Sequence, residues 1–308
     1  MTLQQMEYIV AVEKYRHFGK AAEQCQVTQP TLSAMIQKLE EELEVKIFDR
    51  SRQPVVPTVA GMLVISQAKN VLKQVGMMKD IVNEEKETLV GTFHIGVLPT
   101  IAPYLLPRVF PILLQKYPML DIRVSEMKTK DIKVALDEGT IDAGIVADLS
   151  GMEQYHKTPL FYEPYQVYIS RGSELFSREV IKTSDLADVE LWLLDEGHCF
   201  RDQFLKFCQL KSARSSQEKY RLGSLETFMR MVESGRGATF IPALAVHQMC
   251  EKQVELVRPF AVPCPTRKII MLTHENFIRH KVINMLVREI QEAVPNEMLT
   301  TKATQILV

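Results

Sequence analysis

The sequence predicts an α+β multidomain chain: a small N-terminal helical domain closed by an extended wing, one long linking helix, and an α/β region large enough for two lobes. Three observations carry this. The 308 residues are about twice the ~150 of a usual domain. Residues 2–50 repeat apolar side chains at helical spacing, whereas after Gly91 short β-rich runs alternate with helical ones. Between the two, Ala60 to Leu89 contains no proline.

Composition sets limits on function. A hydrophobic fraction of 46% and a charged fraction of 24% are ordinary for a globular chain, and 13 glycines and 15 prolines exclude collagen-like and low-complexity classes. The longest run free of Asp, Glu, Lys and Arg, residues 88–107, holds two glycines and three prolines and is no membrane span. Residues 1–14 have no basic leader and carry Glu7 and Glu13, so no secretory signal is expected. Five scattered cysteines without a CxxC pair fit a reducing cytoplasm. No His/Cys cluster has zinc-ligand spacing, so neither metal nor cofactor is expected. The net charge is -1, and the first 60 residues hold seven Lys/Arg against eight Asp/Glu. Bulk charge therefore gives no sign of a nucleic-acid partner, and any such reading must rest on local arrangement.

In order, Leu3, Met6, Ile9 and Val10 mark a first helix, and Phe18, Ala21, Ala22 and Cys25 a second. Thr28 is placed to cap a third, with Pro30 in its first turn and Leu32, Met35, Ile36, Leu39 and Leu43 on one stripe. Residues 51–58, with Pro54 and Pro57, read as the wing. In the long helix Val64, Val71 and Met78 interleave with Ala68, Val75, Val82 and Leu89 as a heptad seam, interrupted at Glu85. Such a seam serves a partner helix or packs on its own domain. Strands are expected at 92–97, 122–127, 141–147, 166–170, 191–194 and 268–273, in a largely parallel sheet. Helices are expected around 105–116, 130–137, 225–233, 243–253 and 276–292. The boundaries follow as 1–58, 59–90 and 91–308, the last split into lobes 91–162 with 268–300 and 163–267.

The second and third helices, joined at Gln26-Val27-Thr28 with alanines at their crossing, fit a helix-turn-helix. With the apolar stripe inside, Gln29, Thr31, Ser33, Ala34, Gln37 and Lys38 are expected outside, where small and hydrogen-bonding side chains suit base edges in a major groove. Thr28 and Pro30 shape the helix start, whose backbone N–H groups suit a phosphate. Arg50 and Arg52 flank the wing and are candidates to neutralise phosphates, while the acidic residues at 40–44 lie at the far end of the helix. On pattern alone, a helical bundle for protein contacts remains open.

The run AAEQCQVTQPTLSAMIQKLEEELEVKIFDR, followed by PTVAG, resembles the N-terminal domain of LysR-type transcriptional regulators. The resemblance implies a winged helix-turn-helix, a dimerising linker helix and a two-lobed α/β periplasmic-binding-protein-like effector domain. It further implies a homodimer, often a homotetramer, on an interrupted palindrome of double-stranded DNA, with RNA polymerase as a further partner and no membrane.

The segment DEGHCFRDQFLKFC sets Cys199 and Cys208 nine positions apart. On a continuous helix that spacing is roughly 13.5 Å and about 900 degrees, so the thiols face opposite sides. A disulfide needs Cα atoms within about 7 Å, so joining them requires the helix to be rebuilt. Cys199 follows His198, precedes Arg201 and opens a helix candidate, all of which favour thiolate. Cys208 follows Phe204, Leu205 and Phe207 and reads as a sheltered thiol to which a sulfenic acid at Cys199 condenses. From spacing alone, the reading of both as buried small hydrophobes, the commonest place of a free cysteine, stands ahead. Thr100 lies just beyond a strand end, where open α/β sheets bind ligands, although helix capping also accounts for it.

DEGHC-x-RDQ-x-L-x-FC is similar to the redox loop of the peroxide-sensing LysR-type regulators, as are LPTIAPYLLP, MKTKD, SLET and IPALAV. That similarity implies Cys199 as peroxidatic thiol and Cys208 as resolving thiol, with Thr100, Thr129, His198 and Asp202 holding and polarising hydrogen peroxide. Arg201 stands beside the thiol, and Arg267 in PTRKI corresponds to an arginine near the reduced-state pocket. Before SLET the family can carry a histidine where this chain has Lys219-Tyr220. The other cysteines receive structural roles: Cys25 in the core, Cys250 packing at a helix end, and Cys264 an incidental thiol in a surface loop.

The expected function is a cytoplasmic transcription regulator, not an enzyme, switched by a Cys199–Cys208 disulfide and reset by a cellular disulfide reductant. Two alternatives remain. One is a LysR-type regulator responding to a small metabolite between the effector lobes; the other is a thiol peroxidase that turns over.

Overall fold

In the computed structural model residues 1–85, 89–187, 189–194 and 224–308 are described. The chain divides into two compact units, Met1–Thr88 and Leu89–Val308.

In the first unit, α1 (Leu3–Tyr15) opens on a capping box in which Thr2 and Gln5 exchange backbone and side-chain hydrogen bonds. Gln5 is buried because its Nε2 also donates to the Met35 carbonyl at 3.1 Å, tying α1 to α3 (Gln29–Glu42). Between them, α2 (Phe18–Gln24) starts at His17, whose Nδ1 accepts from the Gly19 and Lys20 amides. Ile9, Val12, Ala21, Leu32, Ile36 and Leu39 are fully buried together. The wing is a two-stranded antiparallel ribbon, β1 (Phe48–Asp49) with β2 (Val56–Pro57).

The long helix α4 spans Val59–Glu85. Thr58 secures its start: the hydroxyl accepts from the Gly61 amide at 2.9 Å and donates to the Lys46 carbonyl at 2.6 Å. There the helix lies so close to the Ile47 backbone that a Cβ on Gly61 would overlap the Ile47 carbonyl. Backbone cannot swing aside as a side chain can. Gly61→Ala is therefore expected to cost about 3 kcal/mol of the stability of this unit, read from its urea midpoint. A loss below about 0.5 kcal/mol would contradict the fit. Ile65 and Ala68 are buried in the unit's own core, with Val64 and Val71 packed beside them, while Val59, Met62, Leu63 and Met78 are exposed. The early heptad positions thus serve their own domain, because the first half of α4 packs on α1.

In the second unit the strands are β3 (Gly91–Val97), β4 (Leu120–Glu126), β5 (Ala143–Ala147), β6 (Tyr155–Ile169), β7 (Ala238–Pro242), β8 (Val257–Pro259), β9 (Cys264–His274) and β10 (Gln305–Leu307). They form one sheet of order β4-β3-β5-β9-β6-β7, with β10 beside β9 and β8 beside β6. Helices α5 (Ala102–Lys116), α6 (Thr129–Asp137), α7 (Leu225–Glu233) and α10 (His280–Ala293) cover it, and α8 (Ala243–Val246) and α9 (Glu251–Val254) are single turns. The expected helix 243–253 is thus broken in two.

The sheet is mixed rather than largely parallel. β3 runs parallel to β4 and β5, but β9 is antiparallel to both β5 and β6, and β6 to β7 and β8. The reason is topological: the chain passes between the two halves of this unit once on β6 and returns on β9, and two opposite passages side by side must be antiparallel. Leu191, expected in a strand, makes only an isolated bridge to Ala238. α6 sits tightly on β3 and β5 because Gly96 and Gly144 leave room for Ile132, which a Cβ at either position would strike.

Candidate functional site

Two constellations concern function, one in each unit. On α3, Thr28, Gln29, Pro30, Thr31, Ala34, Gln37 and Lys38 are exposed, while Leu32, Ile36 and Leu39 are buried. Thr28 caps the helix as expected, its hydroxyl facing the Thr31 amide at 3.4 Å and the Thr31 hydroxyl at 2.8 Å. With Pro30 lacking an N–H and that of Thr31 taken, the helix start offers fewer donors to a phosphate than expected. Ser33 is half-buried rather than outward, because its hydroxyl accepts from Arg50 Nη1 at 3.0 Å. Arg50 also pairs with Glu40 at 3.3 Å and lies over the Phe18 ring. Glu40 is 3% exposed and accepts the amides of Ile47 and Phe48 at 2.7 and 3.2 Å. So Glu40 and Arg50 bolt the wing to α3, and the acidic run at 40–44 is not simply a solvated helix end. Arg52 stays exposed, paired at 3.1 Å with Asp49.

In the second unit, Thr100 follows the carboxyl end of β3, and Thr129 opens α6 after the carboxyl end of the adjacent parallel strand β4. Both therefore stand at the same edge of the sheet, where α/β folds place ligands. Arg267 on β9 and Glu163 on β6 are register partners across the sheet and each is 1% exposed. Arg267 Nε and Nη2 donate to Glu163 Oε2 at 3.0 and 2.7 Å. Its Nη1 donates to Thr100 Oγ1 at 2.9 Å and its Nη2 to the Thr100 carbonyl at 3.0 Å. Glu163 Oε1 accepts the Leu244 amide at 3.1 Å. The helix-capping explanation of Thr100 fails, since α5 has Ile101 at its cap position and no side-chain cap. The hydroxyl of Thr129 is buried and has no hydrogen-bond partner among the described residues. A buried orphan hydroxyl costs about 1–3 kcal/mol, which a bound polar ligand would recover.

Residues 3–62 match the bacterial regulatory helix-turn-helix protein family, lysR type, and residues 86–295 match the LysR substrate binding domain. The chain belongs to the LysR family. Among similar members, the DNA-binding transcriptional dual regulator OxyR of Escherichia coli K12 is 39% identical over 269 residues, 87% of this chain and 88% of that protein. The hydrogen peroxide-inducible genes activator of Pectobacterium carotovorum is 38% identical over 272 residues, 88% of this chain and 90% of that one. A solved full-length OxyR C199D from Pseudomonas aeruginosa has a TM-score of 0.78 at 35% identity, covering 94% of this chain and 95% of the other.

Within this LysR-family chain, the sequence-predicted site residues divide as follows. Thr100 and Arg267 are brought into direct contact and Thr129 to the same sheet edge. Cys199, Cys208, His198, Arg201 and Asp202 lie outside the described residues. Glu163 and the Leu244 amide were not anticipated, although an arginine in the apolar strand sequence of β9 demands a buried carboxylate somewhere. Cys25 is half-buried against the N-terminal core, and burial raises its thiol pKa. Cys264 is not in a surface loop but begins β9, flanked by β10, and burial pushes its thiol up to about 11. Cys250 is exposed at the start of α9 instead of packed. Iodoacetamide at pH 8 is accordingly expected to label Cys250 well before Cys264, as peptide mass spectrometry would show; the reverse order would refute these placements. Among the described residues no group of acidic, His and Cys side chains is arranged to hold a metal, and no helix is long and apolar enough to cross a membrane.

Proposed function

We propose that this chain is a peroxide-responsive transcription regulator in which oxidation of Cys199 and its joining to Cys208 alter how the protein engages DNA. The observation that carries the reading is the similarity to hydrogen peroxide-inducible genes activators and OxyR over nearly nine-tenths of both chains. Supporting it locally are the Thr100–Arg267–Glu163 cluster and the orphan hydroxyl of Thr129 at one sheet edge.

The chemistry balances. The Cys199 thiolate attacks one peroxide oxygen, the O–O bond breaks, and the departing hydroxide takes a proton from a nearby donor, with His198 the candidate. Cys199 is left as a sulfenic acid. Cys208 then attacks that sulfur, forming the S–S bond and releasing a second water. Resetting takes two electrons from a cellular thiol reductant. Each oxidised chain has consumed one equivalent of peroxide and holds its disulfide until a cytoplasmic thiol reductant resets it, the behaviour of a sensor; a thiol peroxidase would instead consume peroxide continuously as long as reductant lasts.

Thr100 and Thr129 are assigned to hold the peroxide, with Arg267 keeping Thr100 in place. Thr129→Val removes the orphan hydroxyl at nearly constant volume. The expected result is unchanged or slightly raised stability, because a buried unsatisfied group is gone. Oxidation of Cys199 is expected to slow about tenfold, the size of one lost hydrogen bond. An unchanged oxidation rate would remove Thr129 from the site.

On DNA, Gln29, Thr31, Gln37 and Lys38 are assigned to the major groove, Thr28, Pro30 and Ser33 to shaping the helix start, and Arg52 to a phosphate. Arg50 acts chiefly by holding the wing. The functional unit is a dimer or tetramer on an interrupted palindrome, with RNA polymerase as downstream partner. The test is a promoter footprint of the reduced protein and of protein given one equivalent of peroxide. A peroxide-dependent shift in protected half-sites that thiol reductant reverses is expected; identical footprints would overturn the proposal.

A further inference from the structure

α7 is held at both ends, by different partners. At its carboxyl end Glu233 accepts from the Tyr168 hydroxyl on β6 at 3.0 Å, from Gln253 at 2.8 Å and from Arg230 at 2.8 Å. At its amino end Glu226, one residue into the helix, accepts from the Tyr104 hydroxyl at 2.8 Å. Tyr104 belongs to α5, the helix that Thr100 leads into, and is 3% exposed. Its backbone carbonyl in turn accepts from Gln248 at 3.0 Å. Burial, and then the Glu226 carboxylate beside it, hold the phenol well above the usual tyrosine range, so it stays a hydroxyl donor. One side chain therefore reaches from the Thr100 turn to the first turn of α7. In sequence, α7 begins at Ser224–Leu225, directly after the stretch that carries Cys199 and Cys208.

The geometry points to Tyr104 and Glu226 as a positioning pair that sets the disulfide equilibrium of Cys199 and Cys208, by fixing the start of α7 against the Thr100 turn. The inference rests on the roles given above to the two cysteines. Glu233 holds the far end of α7 to the sheet; at the near end, where the sequence continues from the cysteine-bearing stretch, Leu225 is buried and the Tyr104–Glu226 bond adds a polar tie to the helix that Thr100 leads into. A tie of this kind stabilises one arrangement of the α7 start over another, and any arrangement favoured by only one redox state then shifts the equilibrium between them. Neither residue touches the reacting sulfurs or oxygen in this role.

The test uses the full chain. Tyr104→Phe removes only the hydroxyl, Glu226→Ala removes only the acceptor of an exposed side chain, and the double variant combines them. Each protein is equilibrated in glutathione buffers of graded ratio, and the Cys199–Cys208 disulfide is quantified by alkylation and mass spectrometry. Each single variant is expected to change the exchange equilibrium constant about threefold or more, and the double variant no further, because both remove the same bond. A purely structural role would move the unfolding midpoint and leave this constant alone. Variants indistinguishable from a wild type that does form the disulfide, or effects that multiply in the double variant, overturn this inference alone. A wild type that forms no such disulfide overturns the reading of the cysteines, and this inference with it.

Discussion

Cys199→Ser is expected to abolish the response to peroxide: no Cys199–Cys208 bond, no change in footprint, and Cys208 still alkylatable after one equivalent of oxidant. The expectation follows from the division of labour between the two thiols. A serine hydroxyl is nearly the size of a thiol but does not ionise at neutral pH and does not attack an O–O bond. Cys208→Ser has a different signature. Its Cys199 still reacts with peroxide but stops at the sulfenic acid, which trapping reagents detect, and proceeds on excess oxidant to higher acids. None of the three described cysteines is an obvious substitute. Burial raises the Cys25 and Cys264 thiols, and Cys250 is exposed on a short helix turn. A Cys199→Ser protein that kept a peroxide-dependent footprint would show that another residue carries the sensing.

Glu163→Gln is the second large effect, and it falls on stability. The substitution is isosteric but takes from Arg267, 1% exposed, the carboxylate it pairs with among the described residues. Breaking a buried pair from one side costs about 3–5 kcal/mol, because the remaining ion keeps its desolvation penalty and loses the attraction that offset it. The single tryptophan reports on this unit: Trp192 stacks on Phe228 and donates its indole N–H to the Arg236 carbonyl. Its fluorescence should show the urea midpoint fall sharply in Glu163→Gln. Removing both charges, as Glu163→Leu with Arg267→Met, is expected to recover most of the loss while freeing Thr100 from its arginine, so that stability returns and peroxide reactivity does not. A cost below about 1 kcal/mol for the single substitution would mean the pair is far more hydrated than its burial indicates.

These two residues also mark where sequence reading succeeds and where it stops. The recognition helix was legible because its signals are local: Thr28 at the cap, Pro30 in the first turn, and a stripe from Leu32 to Leu39 at helical spacing. α6 and α7 were legible for the same reason. The first half of β6 was not. Pro159 and Pro164 interrupt its pattern, and the register slips between Pro159 and Phe161, so no alternation survives there. β7 carries no strand alternation, because its five residues are all buried, polar only at Thr239, and run straight into the α8 turn, a pattern that reads equally as helix. Glu163 had no local signal at all, since its partner lies 104 positions away and becomes its neighbour only when β6 and β9 pair. For Ser33 and Arg50 the sequence pattern gives only the outward face and the wing; that the fold uses them on one another depends on a contact 17 positions apart in sequence.

The same pairing explains how fold and function connect in the second unit. Two strands that pass between its halves carry Glu163 and Arg267 face to face, and Arg267 reaches from the sheet to the turn that holds Thr100. A site built on paired strands keeps its geometry better than one built on loops alone.

The most direct test is thiol mass spectrometry of the reduced full-length protein after one equivalent of hydrogen peroxide, with free thiols alkylated before digestion. The account predicts a peptide pair linked through Cys199 and Cys208, with Cys25, Cys250 and Cys264 recovered as alkylated thiols. Recovery of Cys208 as a free thiol beside oxidised Cys199, or a disulfide that uses Cys250 or Cys264, would contradict it.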